Sequence, residues 1–466
     1  MKLTVMGAGY VGLVTAACLA RLGHDVACLE VAPERLEALR AGRVPFHEPG
    51  LAELVAEGIE AGRLRPVGDA ARALPGADAV LVCVGTPLDG TGVADLSQIR
   101  SACRDIAEHA PQAVVLLRST LPLGAWAEIG RWMGRQDAGQ LALNPEFLRQ
   151  GTAVSDFLAP TRIVIGTPDG QETQASSTVR QIYATLESPI LVTDFASAEM
   201  IKNAANVFLA AKLTFINEIA DLCASYGADI GDVVTGIGLD PRIGGSYLRP
   251  GIGFGGSCLP KELANIVRLG EAAGVDLPML QGAVADNAAR PANIVDRLEG
   301  RLGRLRGRRV GMLGLSFKPH TDDLRDSPAI AMAKAMLERG AQVIAHDPVV
   351  RLEATKRVEG LQRSASVEGI CRDADLVLLA TEWPEYEELD WPRLATLTRR
   401  AVLFDGRRAL HPATIRAAGW SMLGIGRADE PIAEPERRER RATLTTTSRH
   451  RERVPVPLAG AGAVSS

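Results

Sequence analysis

Paired cysteines are missing from this 466-residue sequence. Its seven cysteines (Cys18, Cys28, Cys83, Cys103, Cys223, Cys258, Cys371) are odd in number and form no CxxC pair. That excludes a disulfide framework and a zinc-cysteine cluster, and predicts a chain that works in a reducing cytoplasm. The seven histidines are scattered too, with no HExxH or His/carboxylate cluster, so no metal is expected. Apart from one stretch near the start, taken up below, nothing resembles a targeting segment, and no apolar run is long enough to span a membrane. Positive charge is not in excess: the formal net charge is −4, which argues against nucleic acid or an anionic membrane as partner. Aromatics make up only 4%, but hydrophobic residues reach 46%, and a chain this long is expected to bury two or three separate cores.

What is present first is alternation. Short apolar runs at Lys2–Met6, Asp25–Glu30, Ala79–Val84, Ala113–Arg118, Gln140–Asn144 and Thr161–Gly166 are separated by helical patterns, which predicts a parallel sheet with crossover helices. From Ser197 to Tyr226 apolar residues recur at helical spacing without a turn signal, predicting one long helix. Asp240–Cys258 is rich in glycine and reads as a loop, and Pro260 stands where a helix starts, since its missing N–H costs nothing there. Helical pattern then continues to about Arg301, with breaks or kinks at Pro278 and Pro291. A third unit echoes the first: Val310–Leu315 resembles Leu3–Gly9, Asp373–Pro384 resembles Gly76–Pro87, and Val343–Asp347 ends in an acid as Asp25–Glu30 does. The predicted class is α/β, with two Rossmann-like parallel-sheet domains (1–196 and 301–427) joined by a helical middle domain (197–300) holding a long central helix. Residues 428–466 carry a charge run and a small-residue end with few large apolar side chains, and are predicted to be a disordered tail.

Gly7-Ala8-Gly9-Tyr10-Val11-Gly12 follows the first strand and opens an Ala-rich helix. The first glycine permits a tight turn, the second lets backbone approach a pyrophosphate, and the third lets helix pack on strand. The stretch Leu3–Cys18 has the apolarity of a signal peptide, but a signal peptide needs no such glycine order. Glu30, ending the second strand, is placed to bond the adenosine ribose hydroxyls and to repel a 2′-phosphate, so NAD is expected over NADP. Arg35 is near enough to blur that choice, or is a solvated helix arginine.

Gly253-Phe254-Gly255-Gly256-Ser257-Cys258 puts a thiol in a glycine loop just before a helix. The helix dipole and Lys261 in the first turn are expected to lower its pKa and make it a nucleophile. Glu262 is either an acid–base group or a helix cap. Lys202 and Asn206, four apart on the long helix, share a face and can hold an oxyanion, although such pairs are commonly solvated. Glu146, at a strand end, offers a carboxylate where parallel sheets place ligands, and Ser119-Thr120 offer hydroxyls at the same edge.

With these residues in place the sequence resembles the UDP-glucose/GDP-mannose dehydrogenase family from Met1 to about Gly426. The resemblance runs through GAGYVGL at Gly7, HEPGL at His47, CVGTP at Cys83, RST at Arg118 and NPEFLRQGTAVSDFLAP at Asn144. It continues with AEMIKNAANVFLAAKLTFINE at Ala198, GFGGSCLPKE at Gly253, GLSFKPHTDDLRDSP at Gly314 and DGR at Asp405. The resemblance implies a four-electron oxidation using two NAD, with the aldehyde trapped on Cys258 as a thiohemiacetal and then a thioester. It makes Lys202 and Asn206 the alkoxide-stabilising pair, Glu146 the base for hydrolysis, and Thr120 and Glu262 the groups that position water. Gly7, Gly9, Tyr10, Val11, Gly12, Glu30, Arg35, Thr86, Thr120, Lys261 and Arg325 would contact NAD. Glu146, Phe147, Leu148, Arg149, Gln150, Lys202, Asn206, Gly255, Lys318, Arg407 and the loop Tyr247-Leu248-Arg249-Pro250-Gly251 would contact the nucleotide sugar. The family is dimeric or larger, and Arg242 would reach into a neighbouring subunit's site. The sequence departs from the family pattern at Glu262 (usually Asp), Gln150 (usually Glu), Thr161 (usually Asp) and Arg408 (usually Asn).

The leading expectation is oxidation of UDP-glucose to UDP-glucuronate, favoured by GLDPRIG at Gly238 and the TEWPEY segment. GDP-mannose or another nucleotide sugar is the alternative, because Tyr247–Gly251 looks more like that branch. A catalytically silent NAD-binding protein is the alternative of another class, which the set Cys258, Lys202 and Asn206 opposes.

Overall fold

The computed structural model describes residues 1–87, 94–134, 138–356, 358–429 and 431–432. An eight-stranded sheet is built from β1 (Lys2–Met6), β2 (Asp25–Leu29), β3 (Leu64–Val67), β4 (Ala79–Val82), β5 (Val114–Leu117), β6 (Leu141–Leu143), β7 (Ile163–Thr167) and β8 (Ile190–Asp194). Its order is β3-β2-β1-β4-β5-β6-β7-β8. The first six strands in that order are parallel, and interior ones such as β4 and β5 are continuous apolar runs buried on both faces. The segment at Thr161–Gly166 does form a strand, but β7 pairs antiparallel to β6, and β8 runs with β7. A six-stranded parallel sheet follows: β9 (Arg309–Leu313), β10 (Gln342–His346), β11 (Gln362–Arg363), β12 (Leu376–Leu379), β13 (Val402–Asp405) and β14 (Ser421–Gly424). Its order, β11-β10-β9-β12-β13-β14, repeats the first six strands of the other sheet.

Between the sheets, Asp194 accepts from Ser197 N and starts the helix Phe195–Tyr226, which Gly227 ends in a left-handed conformation (φ +75°). This one helix contributes to three cores. Phe195 and Ala198 pack under the first sheet, Val207 and Ala210 in a middle cluster, and Ile216, Ala220 and Cys223 under the second sheet. Gly166 lets it approach, since a Cβ there would lie 2.7 Å from that of Ala198. The helix Leu259–Ala272 begins with Pro260 in its first turn. Pro278 opens the next helix, Pro278–Leu302, whereas Pro291 lies inside that helix without ending it.

The expected tail start is too early. Asp429 is ion-paired with Arg297, and Ile432 packs against the second sheet's core, so the chain stays docked to the end of the described stretch. The rest of the predicted disordered tail, 433–466, lies outside the described residues. Among the described residues no helix is long and apolar enough to cross a membrane.

Candidate active site

The parallel strands of the first sheet end at the Gly7–Gly12 turn. Gly7 takes φ +94°, and its N–H donates to Leu29 O at 2.9 Å. Around Gly9 nothing lies within 4 Å of a would-be Cβ, leaving its backbone open to a ligand. At Gly12 a Cβ would meet Gly7 O at 1.8 Å, so only glycine lets this helix, Tyr10–Arg21, start so close to the strand. Val11 packs against the first core, and the Tyr10 hydroxyl donates to Glu48. These spacings fit a dinucleotide pyrophosphate. Glu30 is 3% exposed; its carboxylate accepts from Ala32 N at 2.8 Å and faces Arg35 Nε at 3.5 Å. Arg35 is therefore not simply solvated: it covers the acid that would face the ribose.

A chain of contacts leads from the strand ends to the thiol. Thr86 Oγ1 donates to Thr120 O at 2.9 Å, and Lys261 Nζ donates to Thr86 O at 2.8 Å. Cys258 is the N-cap residue of Leu259–Ala272. Its Sγ lies 3.7 Å from Ser257 Oγ. Lys202 Nζ pairs with Glu146 Oε1 at 3.2 Å, both nearly fully buried, while Glu146 Oε2 accepts from Leu148 N at 2.6 Å. Asn206 Nδ2 donates to Glu262 Oε2 at 2.6 Å. Lys202 and Asn206 thus face inward, each tied to its own carboxylate.

This environment corrects the expected thiolate. Burial pushes the Cys258 thiol up from its ordinary value, and the Glu146 and Glu262 carboxylates push it further, against Lys202. The sequence displays the helix start and Lys261, but not the two acids that folding brings to the sulfur. Lys261 is itself pulled down by burial. At Lys202 burial pulls down, but Glu146, Glu262 and Cys258 outweigh it and hold the ammonium above its usual range. Burial raises Glu262 despite Lys202 and Asn206. The glycine loop is held by side chains of two helices. Asn287 clamps both Phe254 N (2.9 Å) and Phe254 O (3.0 Å), Asn217 takes Gly251 N at 2.8 Å, and Arg290 Nε takes Gly251 O at 2.7 Å. At Gly255 a Cβ would lie 2.2 Å from Asp326 O.

The remaining candidates gather where the second sheet's connection 314–327 meets the first. Phe147 stacks on the Arg162 guanidinium (3.8 Å), with Lys202 Nζ at 5.4 Å from the same ring. Leu148 packs on the first core. Arg149 is paired with Asp156 at 2.6 Å, and Gln150 Nε2 donates to Asp323 Oδ2 at 2.9 Å. Arg325 pairs with the same Asp323 at 2.6 Å, and its carbonyl accepts from Gly256 N. Lys318 is half-buried; burial and then Arg149 lower it. Arg407 reaches Ala380 O at 2.7 Å, Phe317 O at 3.2 Å and Gly253 O at 3.3 Å. In the loop Tyr247–Gly251, Tyr247 takes φ +61°, Leu248 and Pro250 are buried, and Arg249 is exposed. Arg242 stands apart, exposed and paired with Asp240 of its own chain at 2.5 Å.

Family profiles resolve what this arrangement belongs to. The NAD binding domain of the UDP-glucose/GDP-mannose dehydrogenase family matches residues 1–187, its central domain 196–289 and its UDP binding domain 311–412. The chain belongs to the UDP-glucose/GDP-mannose dehydrogenase family. Similar curated members include the UDP-glucose 6-dehydrogenase of Rhizobium meliloti, 40% identical over 92% of this chain and 100% of that one. TuaD, a UDP-glucose 6-dehydrogenase of Bacillus subtilis, is 36% identical over 93% of this chain and 95% of its own. A solved UDP-glucose dehydrogenase from Pyrobaculum islandicum superposes with TM-score 0.83 at 38% identity, covering 92% of this chain and 98% of that one. A GDP-mannose dehydrogenase from Pseudomonas aeruginosa gives 0.50 at 30% identity, covering 91% and 99%.

All four departures from the family pattern have local partners, Glu262 in Asn206 as described above. Gln150 bonds Asp323, Thr161 Oγ1 accepts from Arg162 at 3.4 Å, and Arg408, at φ +53°, pairs with Asp229 at 2.5 Å. Sequence reasoning missed Glu48, Asn217, Asn287 and Arg290 as supports of the site. Their signal was weak: each is a polar residue at a position that reads as turn or helix until its distant partner is known. Glu199 was missed too. Its Oε2 accepts from Gly124 N at 2.7 Å, just beyond Thr120, and burial raises its carboxyl to about 7.

Proposed function

We propose that this dehydrogenase oxidises UDP-glucose to UDP-glucuronate with two NAD per sugar, through intermediates on Cys258. The observation that carries the reading is the thiol at a helix start, within the field of the Lys202–Glu146 and Asn206–Glu262 pairs. NAD, when bound, accepts the hydride in each oxidation. Gly7, Gly9 and Gly12 admit its pyrophosphate, and Glu30, once Arg35 yields, takes the ribose hydroxyls. As the hydride leaves C6 the hydroxyl proton is released to water, and Lys202 and Asn206 hold the developing oxyanion by charge and hydrogen bond. In the next step sulfur adds to the aldehyde carbon and the thiol proton passes to its oxygen, so the addition brings no net charge into the buried site. After the second hydride leaves, water attacks the thioester. Glu146 takes a proton from that water and passes it to the leaving sulfur, Glu262 and Thr120 orient the water, and Cys258 departs as the thiol.

Supporting UDP-glucose over GDP-mannose is the weaker superposition on the GDP-mannose enzyme. We read 1–196 as the NAD-binding part, 197–300 as the helical middle and 301–427 as the nucleotide-sugar part. Phe208, Phe215 and Leu222, exposed and seven residues apart on one helix face, fit a homodimer seam. Arg242 is then available to a neighbouring subunit. None of the seven cysteines, all of them among the described residues, is in a disulfide, which suits the cytoplasm.

NADH absorbance against a panel of UDP- and GDP-sugars, with the product weighed by mass spectrometry, tests the reading. UDP-glucose is expected to give two NADH per uronate, and a ratio of one would refute it. Cys258→Ala is expected to abolish turnover and leave NADH binding unchanged.

A further inference from the structure

Glu48 precedes the turn into the helix Leu51–Glu60 and is 6% exposed. Its carboxylate is divided between two loops. Oε2 accepts from the Tyr10 hydroxyl and from Gly151 N at 2.6 Å, and Oε1 accepts from Ala153 N at 2.7 Å. Tyr10 begins the helix immediately after Gly9, on the cofactor side. Gly151 directly follows Phe147–Gln150, on the sugar side. The second sheet closes against the same point: a Cβ on Gly151 would lie 3.0 Å from that of His320 and 3.2 Å from its carbonyl oxygen. The charge of Glu48 also reaches Lys318 on that connection.

A buried carboxylate is tolerated only when its lone pairs are filled, and hydrogen bonds to an ionised acceptor are the stronger ones. Here the donors come from separate parts of the chain. Shifting either loop strips the anion of a partner, so the position of one loop limits the position of the other. We propose that Glu48 is a positioning residue that couples the seating of NAD on Gly9–Tyr10 to the seating of the nucleotide sugar on Phe147–Gln150. It acts through one hydroxyl and two backbone amides, and the coupling is reciprocal, because a binding linkage has one free energy whichever ligand arrives first.

The proposal rests on the reading that these two loops take NAD and a UDP-sugar, so its test does not use turnover. UDP is titrated calorimetrically into the full-length protein with and without saturating NADH. In the unaltered protein NADH is expected to change the UDP dissociation constant by about fivefold or more. Tyr10→Phe removes only the cofactor-side hydroxyl; it is expected to bring that ratio to within about twofold of unity while Tm stays within about 2 °C. Glu48→Gln, which faces an amide N–H with an NH2, is expected to do the same, and the double variant is expected to go no further. An unaltered protein without coupling, or a Tyr10→Phe variant that keeps it, would overturn the proposal. If Glu48→Gln does not fold, Tyr10→Phe decides alone. Absence of turnover with UDP-glucose beside an intact UDP–NADH coupling counts against the substrate reading and not against Glu48.

Discussion

The two sheets share one strand order, and yet their first loops serve opposite ends. Gly314 stands after β9 as Gly7 stands after β1, with φ +88° and its N–H on His346 O at 2.8 Å. The acids at the ends of the second strands then diverge. Glu30 accepts a single backbone N–H, from Ala32, and otherwise faces a half-exposed arginine. Asp347 is filled from inside: Leu315 N at 2.7 Å, Ser316 N at 3.1 Å, Val349 N at 3.1 Å and Val350 N at 3.0 Å all donate to it. In place of a glycine-rich turn, Leu315 and Ser316 fold onto that acid, and the following helix, Pro328–Glu338, waits until Ser327 caps it. A carboxylate with spare lone pairs is able to take a ligand's hydroxyls, whereas one whose lone pairs are taken anchors its loop. The same topology therefore supports two uses, which side chains and not the sheet decide.

Changes at matched positions sharpen the contrast. The largest effect is expected at Gly12→Ala, where the added Cβ meets Gly7 O at 1.8 Å: NADH affinity, followed by fluorescence titration, should fall by about 100-fold or more as the helix start is forced off the strand. Asp347→Ala should cost on the order of 4 kcal/mol in urea unfolding, because its buried N–H donors lose their acceptor, with KM for NAD unchanged. Glu30→Ala should do the reverse. Stability should barely move, but the preference in kcat/KM for NAD over NADP should shrink by about tenfold or more as the repulsion of a 2′-phosphate is removed. A stability loss as large as that of Asp347→Ala would erase the distinction between them.

The remaining contrast, which depends on pH, concerns the loops after β5 and β13. Asp405 is bonded by Arg407 N at 3.0 Å and Leu410 N at 2.9 Å, whereas Glu199, holding the corresponding turn of the first sheet, leaves Oε1 without a partner. The Glu199 carboxyl is raised from 4.5 to about 7, so the folded state binds its proton more tightly than the unfolded state does. The stability this contributes is fully present below pH 4.5 and is lost as pH rises through 7. Glu199→Gln should therefore raise Tm at pH 8, by the equivalent of about 3 kcal/mol, and leave it nearly unchanged near pH 4.5. A uniform shift at both pH values would show that burial of the charge is not what separates the two loops.

Legibility followed range. Interior strands such as Ala79–Val82 and Val114–Leu117 are buried on both faces and announce themselves as apolar runs. Edge strands do not. Leu64–Val67 contains a proline and Ile190–Asp194 is half-exposed, and neither was expected. Lys202 and Asn206 were legible because a helix puts them on one face. The charge state of Cys258 was not, because it depends on Glu146 and Glu262, which only folding brings to the thiol. Glu48 was hidden for the same reason: its partners Gly151 and Ala153 lie more than a hundred positions away.

The helix Phe195–Tyr226 acts as a ruler. At about 1.5 Å per residue it fixes both the distance and the rotation between the lysine near its start and the second sheet near its end. Adding one residue between Asn206 and Ala220 would swing everything beyond it by about 100° and dissolve the packing of Ile216 and Cys223. An insertion or deletion among the 32 residues of this helix is therefore expected to cost far more than one of the same length in a surface turn.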